Sequence, residues 1–181
     1  MSSDLSVKFK DSIKVSDLLN DAESVLKELL MVSEVPKMMA YNLENKVRKP
    51  FEEEMFGQNK DYLLIGFEGY QDGVSVIISE VPLHLPYVTE DEAGKWAGIS
   101  VGIKKSHIEF SLAASLAISL ARMQNSDVID DGCRWNKVFK QKPDEFMNVI
   151  RAKCELRDFS ELSDILFGEE HSNDNTNEIS E

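Results

Sequence analysis

Cysteine, histidine and basic residues are all scarce in this chain, and each shortage closes off a class of chemistry. The two cysteines, Cys133 and Cys154, lie far apart with no CxxC spacing and no neighbouring histidine pair. Neither a zinc site nor a disulfide framework fits that pattern, and both residues read as reduced structural thiols. The three histidines are scattered: His84 falls in a proline-punctuated loop, His107 at a helix entry and His171 in the terminal tail. No apolar run approaches the roughly 18 residues that a membrane span requires. Residues Met1 to Lys14 are polar and lack an apolar h-region, so no secretory signal is expected and the protein is expected to remain cytoplasmic.

Positive charge is the other deficit. Against 33 acidic residues stand 20 basic ones, giving a formal net charge of −13. Phosphate binding needs clustered Lys and Arg, so neither nucleic acid nor an anionic membrane is an expected partner. Such a field instead steers a basic protein surface into contact and disfavours wrong partners. Part of the excess is local: Glu169, Glu170, Asp174, Glu178 and Glu181 occupy a tail with no Lys or Arg. Without that tail the remaining chain is still strongly acidic.

What is present suits one folded domain. At 181 residues, 42% hydrophobic and 29% charged, the chain can bury a core of its own. A single domain over residues 1–170 and a disordered acidic tail over 171–181 are expected. Ser16 to Ser33 reads as an amphipathic helix, with Leu18, Ala22, Val25, Leu26 and Leu29 on one face. A second helix is predicted from Pro36, with Met39, Leu43 and Val47 at i, i+4 spacing and Pro50 at its end.

Tyr62 to Gly69 and Val74 to Val81 are strand-like, joined by a turn around Gln71-Asp72-Gly73. A loop with two prolines follows, Pro82 to Thr89. Ala97 to Lys105 is the third strand, with Ile99, Val101 and Ile103 alternating against Gly98, Ser100 and Gly102, so one face is nearly bare and allows another backbone close. Ile108 to Met123 is the strongest helix, opened by a Ser106/Glu109 capping box and carrying a narrow polar stripe of Ser111, Ser115, Ser119 and Arg122. Its alanines allow close packing on a sheet. A short strand, Asp127 to Asp130, a turn at Asp131-Gly132, a helix over Asp144–Glu155 and a last helix over Ser160–Phe167 complete the plan. The fold class is therefore α+β: an antiparallel or mixed sheet of about four strands, a long buried helix on one face, and additional N- and C-terminal helices.

Apparent active-site motifs fail in their context. Gly98-Ile99-Ser100-Val101-Gly102 matches G-x-S-x-G, and Ser100, Asp130 and His171 follow the chain order of a hydrolase triad. A nucleophile elbow needs its serine on a strained strand-to-helix turn, whereas Ser100 is predicted in mid-strand. A small hydrolase using Ser100 or the Asp130/Asp131 pair is the enzymatic alternative. Asp130-Asp131 beside Gly132 reads first as a turn, and no further ligand at usable spacing completes a metal site. No catalytic residue, metal or cofactor is expected, and the protein is expected to act by binding.

Surface clusters remain. Glu52, Glu53 and Glu54 precede Met55-Phe56; Glu90, Asp91 and Glu92 precede Trp96; Asp130 and Asp131 precede Trp135. Carboxylates beside a large apolar side chain suit an interface with a basic partner, the anchor filling a pocket and the charges setting register. These ten residues are the candidate partner-binding set.

The layout from the third strand onward carries a resemblance. An alanine-rich helix (Phe110 to Arg122) runs through a short polar link into Val128-Ile129-Asp130-Asp131, followed by Trp135, a Pro-x-Glu-Phe helix start (Pro143 to Phe146) and Phe159. This arrangement resembles the small α+β immunity proteins encoded beside bacterial polymorphic toxins, over the C-terminal third to half of the chain. The resemblance implies a cytoplasmic protein that protects its producer by binding a cognate toxin, and it implies no catalytic residues. An adaptor or secretion chaperone, with an apolar groove along the first two helices, is a further alternative.

Overall fold

The computed structural model describes residues 5–44, 47–58, 61–71, 73–84, 89–102, 107–130 and 138–155. In chain order the elements are β1 (Leu5–Lys8), β2 (Ile13–Lys14), α1 (Val15–Leu30), β3 (Met38–Glu44), β4 (Val47–Pro50), β5 (Met55–Phe56), β6 (Tyr62–Phe67), β7 (Gly73–Val81), β8 (Gly94–Ser100), α2 (His107–Met123), β9 (Val128–Ile129), β10 (Lys140–Gln141) and α3 (Pro143–Glu155). Eight strands form one sheet in the order β10-β9-β1-β8-β7-β6-β3-β4, and every pairing is antiparallel. β2 and β5 form a separate two-stranded ribbon. The α+β class holds, but the sheet has eight strands where about four were expected.

Two of the extra strands replace a predicted helix. Residues 38–50 form a hairpin, with Tyr41 opposite Pro50 and Glu44 opposite Val47. The i, i+4 spacing of Met39, Leu43 and Val47 is also compatible with a two-residue alternation, and burial follows the latter: Met38 and Ala40 enter the core. Pro50 lies on the edge strand β4, where a missing N–H costs no ladder bond. A third unforeseen strand is β1. Leu5, Val7 and Phe9 alternate with Ser6 and Lys8, and β1 lies inside the sheet between β8 and β9.

The remaining elements shift by a few residues. α1 ends at Leu30, with Met31 in the left-handed region at φ 56°, and its predicted apolar face is the buried one. The third predicted strand is β8, which starts at Gly94 and ends at Ser100. The capping-box partner Ser106, Asp72 of the first hairpin turn, the Asp131-Gly132 turn, the helix over 160–167 and the tail from His171 lie outside the described residues.

All three described helices pack on one side of the sheet. Leu63, Ile65, Val74, Val76, Ala97, Ile99, Leu5 and Val7 point toward them and are buried. α2 packs on β1, β7 and β8 and against both other helices, α1 itself also reaches the sheet at β3, and every residue from Leu112 to Ala121 is buried. Its predicted polar stripe is therefore no solvent face. Ser115 and Ser119 are fully buried; Ser115 Oγ donates back to the Leu112 carbonyl at 2.9 Å, while Ser119 Oγ has no partner among the described residues.

α3 is held by Phe146, Met147 and Ile150. Each such buried side chain contributes about 1.5–3 kcal/mol. The ion pairs Arg122–Asp144 at 2.8 Å and Arg151–Glu28 at 3.1 Å are partly exposed and contribute about 1 kcal/mol or less each, so apolar burial dominates the docking of α3. Gln124 ties the end of α2 to the β1–β2 connection. Its Oε1 accepts from the amides of Lys10 and Asp11 at 2.7 and 3.0 Å, and its Nε2 donates to the Asp11 carbonyl at 2.8 Å.

The unsatisfied Ser119 hydroxyl gives a direct test of the buried stripe. A buried donor without a partner costs about 1–3 kcal/mol, part of which is offset by the contacts that its atoms make. Ser119→Ala is expected to be neutral or to raise stability by up to about 1 kcal/mol in urea unfolding. A clear loss of stability would show that the hydroxyl is bonded.

Candidate protein-interaction surface

The surface of interest is built where β1 ends and the β7–β8 connection turns. Thr89 to Glu92 form a self-stitched turn. The amides of Glu92 and Ala93 donate to the Thr89 carbonyl, and the Glu92 carboxylate accepts from both the Thr89 amide and its hydroxyl at 2.9 Å. Those bonds hold the Glu92 carboxyl below the usual carboxylate range, the backbone amide being the largest cause. The same turn grips the sheet: Trp96 Nε1 donates to the Glu92 carbonyl at 2.8 Å, and Lys8 Nζ donates to the Asp91 carbonyl at 2.8 Å while lying 5.8 Å from the Trp96 ring centroid. Trp96 is thereby fixed half-buried on the sheet face opposite the helices. Glu90 and Asp91 are exposed, and among the described residues their carboxylates enter no hydrogen bond or ion pair.

A second acidic stretch borders the same end of β1. Glu52 and Glu54 are exposed and Glu53 is half-buried. The Glu54 carbonyl accepts from the Val15 amide at 2.9 Å, opening α1, and its carboxylate pairs with Lys14 at 2.9 Å. That pairing lowers the Glu54 pKa and raises that of Lys14, with the hydrogen bond between them as the first cause. The ribbon is tied to β1 through Phe56, which meets the Phe9 ring edge-on at 5.9 Å. Gly57, at φ +83°, lets the chain pass: a Cβ there would fall 2.6 Å from Phe9 Cζ and 3.0 Å from Ile78 Cδ1. At the end of β1, Phe9 thus turns into the core against Phe56 while Lys8 reaches the Asp91 carbonyl on the opposite face, and the Phe9 amide donates to the Lys95 carbonyl.

Of the third predicted cluster only Asp130 is among the described residues. Asp130 is 1% exposed, and its amide donates to the Phe139 carbonyl at 2.8 Å. As placed, its carboxylate is not presented for docking, because the β9–β10 pairing folds it inward. Asp131 and Trp135 lie outside the described residues. Asp127 is the carboxylate that shapes this edge. It pairs with Lys142 at 2.7 Å and Lys140 at 3.4 Å, and its pKa is lowered, most by the hydrogen bond from Lys142.

The G-x-S-x-G serine sits in a regular ladder. Ser100 is opposite Ser75, whose Oγ lies 3.4 Å from the Ser100 carbonyl, and α2 begins only at His107. A nucleophile elbow demands a tight strand-to-helix turn at the serine itself, and this geometry lacks one. His84 is exposed; His171, the would-be triad base, lies outside the described residues. Among the described residues no group of three or more His, Cys, Asp or Glu is placed to hold a metal ion, and no helix is long and apolar enough to cross a membrane.

Lys8 at this surface, and Tyr41 and Arg48 at the far side of the sheet, were not foreseen from the sequence. Arg48 lies 5.8 Å from the Tyr41 ring centroid and donates to the carbonyls of Tyr70 and Gln71. The alternation Leu5-Ser6-Val7-Lys8-Phe9 was the available signal for the first, and Met39-Tyr41-Leu43 for the second. The chain matches no family model, no curated protein and no solved structure.

The Asp127 clamp has a pH signature. A carboxyl whose folded pKa is depressed stabilises above its unfolded pKa, and that stability is lost as pH falls through the folded value. Its lysine partners are largely exposed, so the contribution is about 0.5–1 kcal/mol. Asp127→Asn is therefore expected to unfold at lower temperature than the parent at pH 7. The gap should close as pH drops below the ordinary aspartate range, in thermal melts followed by circular dichroism.

Proposed function

We propose that this protein is an immunity-type inhibitor that binds and neutralises a cognate bacterial toxin in the cytoplasm of its producer. The observation that carries this reading is the Glu90–Glu92 turn. It holds an aromatic anchor, Trp96, in a fixed pose and leaves two carboxylates, Glu90 and Asp91, directed to solvent beside it. A rigid aromatic flanked by negative charge is what an interface with a basic protein uses: the ring supplies buried area at low entropic cost, and the charges accelerate encounter. The net charge of −13 adds a long-range field of the same sign. The resemblance of the C-terminal half to immunity proteins agrees with this use.

The test is co-purification with the product of the adjacent reading frame. A stable complex on gel filtration is expected. The double reversal Glu90→Lys, Asp91→Lys is expected to slow association by about tenfold at low salt, with the effect shrinking as salt rises. Trp96→Ala is expected to act on dissociation, at a cost of about 2 kcal/mol. A neighbouring product that never binds the folded protein would overturn the reading.

A further inference from the structure

The sheet face opposite the helices differs in charge from the rest of the molecule. Strand alternation places Tyr62, Leu64, Ile77 and Trp96 on it; all are half-buried and none belongs to the core cluster. Between them the register sets small residues: Gly98 opposite Ile77, and Ser100 opposite Ser75. Short side chains there leave room for another main chain or helix to approach β7 and β8 closely. In a chain with 33 acidic residues, no carboxylate among the described side chains of β1, β3, β4, β6, β7 and β8 is directed to this face, and Glu80 alternates to the other side.

Two cations mark the ends of this strip. Lys8 lies over Trp96, which is opposite Ser79 near the end of β7. Arg48 reaches the start of β7: its Nη2 bonds the Gln71 carbonyl and lies 3.4 Å from where a Cβ on Gly73 would sit. Both cations are held by carbonyls and aromatic rings, and neither pairs with a carboxylate among the described residues. From Gly73 to Ser79 the strand rises about 20 Å.

We infer that this face docks a partner protein's amphipathic helical segment, with an apolar stripe over the Gly98–Ser100 strip and carboxylates at both ends to meet Lys8 and Arg48. A helix of about 13 residues spans 20 Å, and helices pack on sheets as layers of this kind. Charge selects this occupant. A second copy would bring together two chains of net charge −13 without supplying carboxylates from its own equivalent face, and a nucleic-acid strand would meet only two cations within a repulsive field. The inference goes beyond the toxin contact proposed above, which uses the acidic rim and shares Trp96 with this face.

The test uses the full chain and two labelled synthetic helical peptides of about 14 residues. They share one leucine stripe and differ only in carrying Glu or Lys at both ends. Fluorescence anisotropy should show the Glu-ended peptide bound at least about tenfold tighter. The double variant Lys8→Glu, Arg48→Glu, checked for folding by circular dichroism, should reverse that preference. If that variant does not fold, Lys8→Met, Arg48→Met should abolish the preference. Glu90→Lys, Asp91→Lys removes negative charge beside Lys8 and should leave binding of the Glu-ended peptide unweakened while toxin association slows, which separates a failure here from a failure of the toxin reading. Equal binding of the two peptides, or none, would overturn the inference. So would a dimer by light scattering, which assigns the face to a second copy, or peptide binding that appears only after removal of residues 169–181, which assigns it to the chain's own acidic segment.

Discussion

The complete burial of one helix organises this molecule. From Leu112 to Ala121 every residue of α2 is out of contact with water, so the helix needs neighbours on all sides. The sheet supplies one side through β1, β7 and β8, and α1 and α3 supply the others. Ala113, Ala114, Ala117 and Ala121 are what make this possible, because a methyl group at these positions lets neighbouring backbones approach without leaving voids. The position of β1 follows from the same demand. A chain whose first strand were absent would leave α2 facing a gap between β8 and β9. The N-terminal segment is thus structural, although it is among the shortest and most polar stretches that enter the core.

Every described helix lies on one side of the sheet, and among the described residues no helix covers the other side. Open faces of antiparallel sheets are ordinarily polar. Here the face mixes aromatics, aliphatics and small residues, and among its described side chains none is a carboxylate, in a strongly acidic protein. Exposed acidic residues lie instead on the helices and in connections such as Glu90–Glu92. Two surfaces of different chemistry therefore meet along the end of β1, with Trp96 and Lys8 at their boundary.

Elements with a long, unambiguous period were legible in the sequence. α1, α2 and α3, the β6–β7 hairpin and β8 each lie within a few residues of the predicted spans. The failures share a cause. β3 and β4 are short, and the spacing of Met39, Leu43 and Val47 fits a helical and an alternating pattern alike; tertiary pairing with β6 decided between them. β1 has only four residues, and its alternation becomes meaningful only when α2 lies over it. The polar stripe on α2 is compatible with the buried helix that was expected, since a serine in a helix can satisfy itself on the preceding turn and needs no water, as Ser115 does. At the surface, the local clusters could be named from sequence, but their grouping could not. Glu90–Glu92 meets Lys8 and Trp96 only through the β1–β8 pairing, and Glu54 meets Lys14 and α1 through the β2–β5 ribbon, whereas Asp130 is buried beside β10. No local pattern encodes those long-range contacts.

The Thr89–Glu92 turn shows how sequence chemistry becomes binding chemistry in this fold. Of its three acidic residues, Glu92 is spent on the turn itself, its carboxylate closing on Thr89 and its carbonyl on Trp96. That self-satisfaction fixes the loop before any partner arrives. An ordered loop loses little entropy on association, so more of the contact energy of Glu90, Asp91 and Trp96 remains available to the complex. A flexible acidic loop of the same composition would present the same charge but lose part of that advantage to ordering on binding. The acidic run is therefore better described as one structural carboxylate holding two exposed ones in place than as three equivalent charges, and the aromatic beside it as an anchor that is already positioned.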